Sequence, residues 1–170
     1  FEEMRYFNQG KEARTFDSKH GKLGILICED LWHISLPYIL TSDGANVIIT
    51  LAASPTRITG SAEQLPSAVL NTEHHKTYAR LLSSYVVFSN RVGIEDGVNF
   101  WGGSEVVGPS GEILATAKMF DEDLIFATLD DEAIRRARRL SRHFVDDSLE
   151  LTIDLLRGVR DRRRRSRNVG

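Results

Sequence analysis

Lys22-Leu23-Gly24-Ile25-Leu26-Ile27-Cys28-Glu29-Asp30 is the stretch that decides the fold. It is a short apolar run of strand length, closed abruptly by two acids, as a buried strand ending at a sheet edge is. The pattern repeats downstream. Residues 46–52 (NVIITLA) are β-branched and apolar, and 85–90 (YVVFSN) form a third such run. Between the first two, residues 29–43 carry Leu31, Ile34, Tyr38 and Ile39 at helical spacing and stop at Gly44. Between the second and third, residues 62–83 read as a long helix with Pro66 near its start and Leu70, Thr77 and Leu81 on one face. A glycine-punctuated loop follows. Residues 104–107 and 112–117 then pair as a hairpin around Pro109-Ser110-Gly111, and 124–129 read as a further strand. Helices are expected over 131–143, acidic at its start and basic toward its end, and over 147–156. Residues 1–21 read as loop with a short extended piece at 14–17. This order predicts a mixed α/β sheet with helices over one face. The later strands suggest packing against another layer.

Composition bounds the rest. The chain has 170 residues, 41% hydrophobic and 27% charged. Those are globular values that exclude wholesale disorder, collagen and coiled coil. No apolar run reaches the roughly 18–20 residues of a membrane span. A start at Phe1, without a basic or apolar leader, is not a signal peptide; it points to processing or to a piece of something longer. A cytoplasmic setting is expected. Of the 22 basic and 24 acidic side chains, seven arginines and one aspartate lie in 157–170, which leaves 15 basic and 23 acidic groups in 1–156. The body is therefore acidic. Residues 157–170 are expected to form a basic, disordered tail. It lacks interleaved aromatics, so nucleic acid is not expected as a partner.

Chemistry could sit at Cys28, the only cysteine. It stands where a buried strand turns into a helix, a place where nucleophiles are displayed. The backbone N–H groups that follow favour negative charge and could stabilise an oxyanion. From position alone a buried structural cysteine is the leading reading. Among the five histidines, His33 lies too close in sequence to fold back easily, and His74 and His75 fall mid-helix where solvent exposure is expected. Glu2 and Glu3 stand among Phe1, Tyr6 and Phe7, a setting in which a carboxyl group can act as acid or base. Arg91, after Asn90, could form a buried pair or bind an anion. Trp101-Gly102-Gly103-Ser104 suggests close backbone approach. No zinc spacing, Walker loop or dinucleotide fingerprint is present, and neither metal nor cofactor is expected.

Four ordered stretches resemble the nitrilase (carbon–nitrogen hydrolase) superfamily. They are Phe1-Glu2-Glu3-Met4-Arg5-Tyr6-Phe7 with Gly10; Gly24 to Asp30; Ser89-Asn90-Arg91-Val92-Gly93; and Phe100-Trp101-Gly102-Gly103-Ser104 with the segment from Val107 to Ile113. The resemblance implies a four-layer α-β-β-α sandwich whose N-terminal part is missing here. Residues 1–156 would form the C-terminal portion of the domain. It also implies homo-oligomers, and hydrolysis of a small non-peptide amide through a thioester on a cysteine. Cys28 matches the nucleophile and Glu3 the glutamate that supports positioning and the deacylating water. The backbone N–H of Glu29 would serve the oxyanion hole. The pocket is expected to be lined by Glu29, Trp32, His33, Ser54, Pro55, Thr56 and Trp101.

The sequence departs from the family pattern in one respect. The general-base glutamate and the lysine belong upstream of Phe1 and have no counterpart, so this segment alone is expected to be inactive. Cys28-Glu29-Asp30-x-Trp32 and Ala53-Ser54-Pro55 are similar to the glutaminase domains of glutamine-dependent NAD synthetases. A stand-alone amidase or carbamoylase is the first expectation and a glutaminase-type domain the close alternative. A catalytically inactive binding subunit and an unrelated Cys–His hydrolase are the remaining readings.

Overall fold

The structure is a computed structural model that describes residues 5–56 and 65–167. Six strands make the main sheet, in the order β1 (Phe16–Ser18), β2 (Gly21–Ile27), β3 (Val47–Ala52), β5 (Tyr85–Asn90), β8 (Glu105–Val107) and β9 (Ile113–Thr116). The three apolar runs singled out in the sequence are its central strands. They run parallel, in a register that aligns Ile25 with Ile49 and Ile49 with Val87. The edges are antiparallel, β1 on β2 and the expected hairpin β8–β9 beyond β5.

Side chains alternate across a strand, and the two faces have different fates. Leu26 and Ile48 point to one face, where they pack with Leu31, Leu40, Ala45 and Leu82. Leu40 belongs to α1 (Ser35–Ser42) and Leu82 to α2 (Pro66–Leu82). Ile48 and Val86 are fully excluded from solvent there, each stabilising the fold by roughly 1.5–3 kcal/mol. On the opposite face Val47 and Tyr85 are covered by Ile134 of α3 (Asp131–Leu140). Ile25, Ile27 and Leu51 lie exposed farther along that face. Asp130 caps α3 by accepting from the Glu132 N–H.

Several expectations are corrected. The 29–43 helix is two pieces, a 3-10 turn over Cys28–Trp32 and then α1. In α2 the buried face is Ala68, Asn71, His75, Ala79 and Leu82, whereas Leu70, Thr77 and Leu81 are exposed. The glycine-rich segment after Asn90 supplies two strands of a second small sheet, whose order is β4 (Pro55–Thr56), β7 (Val98–Trp101) and β6 (Val92–Glu95). Its hairpin turns on Asp96-Gly97, both at positive φ (49° and 78°), the geometry that Asp-Gly favours. Residues 124–129 form no strand and have no ladder partner among the described residues. The last helix, α4 (Leu149–Arg167), runs on through most of the segment read as a disordered tail. Arginine propagates a helix nearly as well as alanine, and only Gly158 weakens the run. No described helix is long and apolar enough to cross a membrane.

Candidate active site

Strands β2, β3 and β5 end together. Ile27 lies opposite Leu51, Leu51 opposite Ser89, and Ala52 opposite Asn90. Ligands in open α/β sheets bind in the crevice outside such carboxyl ends, and the residue that follows β2 is Cys28.

Cys28 has φ 47°, the left-handed region. A residue with a Cβ adopts it at a cost of roughly 1–2 kcal/mol, so the surroundings must hold the turn. Asp30 does so through its Oδ2, which accepts from the Ile27 N–H at 3.0 Å. The chain thereby swings from strand into 3-10 turn within one residue, and the half-buried Cys28 comes to line two clefts. The first, about 300 Å³, is lined by Cys28, Glu29, Leu31, Trp32, Ala52, Ser54, Asn71 and Phe88. The second has Ile27, Leu51, Ser89 and Arg91 around the same cysteine.

Asn90 fixes the walls of this site. Its Oδ1 accepts from the Ser54 N–H at 2.8 Å, and its Nδ2 donates to the Gly102 carbonyl at 2.8 Å. Its backbone N–H donates to Ser104 Oγ at 2.9 Å. One buried amide thus joins the loop after β3 to the glycine turn before β8. Arg91 pairs with Glu95 at 2.6 Å and lies over the Phe100 ring, 4.6 Å from its centroid. The pairing holds the Glu95 carboxyl below its usual range. The partner left open for Arg91 by the sequence is therefore an exposed carboxylate.

Of the residues expected in the pocket, Glu29, Trp32 and Ser54 line the first cleft. His33 is exposed at the end of the 3-10 turn. Pro55 and Thr56 are taken up by β4, opposite Phe100 and Asn99. Trp101 is 2% exposed and stacks behind the cleft wall on Phe88, with ring centroids 6.0 Å apart. The cleft lining contains none of these four. Glu3 lies outside the described residues.

The histidines are placed by this packing. His74 meets Trp32 edge-on at 4.5 Å. His75, expected at the surface, is fully buried, with Nδ1 2.5 Å from Glu105 Oε1 and its ring against Phe88. The buried acid on β8 draws it inward. Neither these two nor His33 lines either cleft, which leaves the Cys–His hydrolase reading without support. Among the described residues no group of three or more His, Cys, Asp or Glu side chains is arranged to hold a metal. Asn71 and Phe88 escaped the sequence reading. Asparagine in mid-helix is a poor helix former, and that misfit was the available signal for Asn71.

Comparison with known proteins places this geometry. The chain is 30% identical over 166 residues to the glutamine-dependent NAD(+) synthetase of Acinetobacter baylyi, covering 98% of this chain and 29% of that protein. It is 29% identical to the N-carbamoylputrescine amidase of Oryza sativa, covering 81% of this chain and 48% of that one. The crystal structure of a carbon-nitrogen hydrolase from Helicobacter pylori superposes with a TM-score of 0.80 at 28% identity, covering 91% of this chain and 56% of that one. The chain thus spans between 29% and 56% of the length of these relatives. The family model for carbon-nitrogen hydrolases matches residues 1–139. By that match, and by a mixed α/β fold shared with the nitrilase superfamily, the chain belongs to the carbon–nitrogen hydrolase family.

Proposed function

We propose that the protein hydrolyses the carbon–nitrogen bond of a small non-peptide amide with Cys28 as nucleophile. The observation that carries this reading is the left-handed Cys28 at the carboxyl edge of the parallel strands, where two clefts meet. The Cys28 thiolate attacks the amide carbonyl and the C–N bond breaks. The nitrogen leaves as ammonia or an amine, taking a proton, and an acyl thioester remains on Sγ. Water then cleaves the thioester, returning the thiol and releasing a carboxylic acid. Backbone N–H groups at the start of the 3-10 turn face the developing oxyanion. Glu3 supports positioning of the deacylating water.

A glutaminase-type reading has its own support, in the Cys28-Glu29-Asp30-x-Trp32 pattern and the identity to NAD(+) synthetases. One experiment serves both readings. The full-length protein is incubated with a panel of amides that includes glutamine, quenched in acid, and analysed by peptide mass spectrometry. An acyl adduct on the Cys28 peptide, absent after Cys28→Ala, is expected. An adduct from glutamine alone selects the glutaminase. Turnover that survives Cys28→Ala overturns both.

A further inference from the structure

The cleft beside Cys28 contains a polar atom that the proposed chemistry does not use. Asn71 sits on the buried face of α2, 5% exposed, and lines the cleft. Its side-chain nitrogen donates to the Ser67 carbonyl at 2.7 Å. Only the nitrogen end of an amide can face a carbonyl, so this bond settles which way the side chain is turned. Oδ1 is then the free end, with no hydrogen-bond partner among the described residues. It is not one of the buried side-chain atoms left unpartnered, so it opens on the cleft, where a donor from a bound molecule can replace water.

The surroundings say what would satisfy it. Leu31, Ala52, Phe88 and the indole of Trp32 make an otherwise apolar wall. His74 backs the indole. The one charged group among the described lining residues is Glu29, an acid. Among the described residues the lining therefore offers acceptors and aromatic faces and no lysine or arginine, which suits an N–H donor and preferably a positively charged one.

We infer that Asn71 Oδ1 is a specificity-determining acceptor, which selects amides whose far end carries an amino group over aliphatic amides of equal length. This rests on the reading of Cys28 as the acylated residue. The matched pair 5-aminopentanamide and hexanamide differs only by an ammonium in place of a methyl group. Two measurements on the full-length protein separate the claims. One is adduct formation on Cys28 by mass spectrometry. The other is calorimetric binding of each amide to the Cys28→Ala protein, which needs no chemistry. Binding of the amino compound at least about 10-fold tighter is expected. In Asn71→Leu, and in Asn71→Ser should the leucine variant fail to fold, the two amides should bind within about threefold of each other. Equal binding to the parent protein, or a preference unchanged in the Asn71 variants, overturns the assignment. Discrimination without any adduct on Cys28 overturns the acylation reading and leaves Asn71 in place.

Discussion

His75 Nδ1 and Glu105 Oε1 lie 2.5 Å apart in the core, with side chains 1% and 4% exposed. The Thr72 hydroxyl donates to the other carboxylate oxygen at 3.0 Å. The contact ties α2 to β8 directly behind Phe88, whose ring lines the cleft beside Cys28. Removing His75 leaves the buried Glu105 with the Thr72 hydroxyl as its remaining side-chain partner among the described residues, and that costs about 3–5 kcal/mol. His75→Ala is therefore expected to lower the urea-unfolding free energy by that amount. Replacing both residues with leucine should recover most of the loss. A double variant as unstable as the single one would show that packing volume, not the polar pair, sets the cost.

Asn90 makes two side-chain hydrogen bonds across the site, from Ser54 N–H and to the Gly102 carbonyl. Asn90→Asp keeps the acceptor for Ser54 and replaces the donor to Gly102 with an oxygen. The expected cost is about 1–3 kcal/mol. Exchange of the Ser54 amide should stay slow in Asn90→Asp and become fast in Asn90→Ala. Hydrogen-exchange mass spectrometry over residues 53–56 reads the difference. Equal exchange in both variants would remove Asn90 from the role of latch.

These two side chains also show where sequence reading succeeds and where it stops. The central strands were legible because a β-branched run closed by polar residues has few alternatives, and register follows from burying alternate side chains. The place of Cys28 at the end of such a run was legible for the same reason. His75 was not. A helical histidine reads as solvent-facing until a buried acid is found 30 residues away, and no local pattern announces a long-range polar pair. Asp96-Gly97 did announce its hairpin, and the glycines around it masked the signal as loop. Trp101 was expected to line the pocket; its indole instead stacks on Phe88, outside the cleft lining. The split of residues 29–43 into turn and helix falls at His33, whose extended backbone (φ −85°, ψ 97°) breaks the helical run, and the spacing of the apolar residues does not announce it.

Gly103 is held at φ 59°, and a Cβ there would meet the Trp101 ring at 2.7 Å. That indole is buried and cannot move aside. Gly103→Ala therefore combines backbone strain with overpacking, and a loss of about 2–4 kcal/mol is expected. The near-ultraviolet circular dichroism of Trp101 should change with it. A variant within about 0.5 kcal/mol of the parent would mean that the turn relaxes freely.

Asp43 anchors the strand edge at low cost in sequence. Its Oδ2 accepts from the Thr15 N–H and from the Thr15 hydroxyl, both at 2.8 Å. The backbone bond, then the hydroxyl bond, hold its carboxyl below the ordinary value of 3.8, against a smaller opposing effect of burial, and Lys22 adds to the lowering. The folded value is the lower one. The stabilisation is thus fully present above about pH 4 and is lost as pH falls through the depressed value. Protection of the Thr15 amide should fall over that acidic range, and Asp43→Asn should remove the pH dependence. A pH-independent Thr15 amide in the parent protein would refute the anchor.

The left-handed Cys28 gives a test in which stability and function oppose each other. Ordinarily alanine is favoured over glycine within a helical turn by about 0.5–1 kcal/mol. At φ 47° the order should invert, because glycine alone escapes the clash of Cβ with the backbone. Cys28→Gly is expected to be more stable than Cys28→Ala by about 1 kcal/mol, and at least as stable as the parent, while both variants lose adduct formation. Paired urea-unfolding curves measure this directly. Were Cys28→Ala the more stable of the two, the backbone at residue 28 would not be strained, and the turn that displays the thiol would be held by no more than ordinary helical geometry.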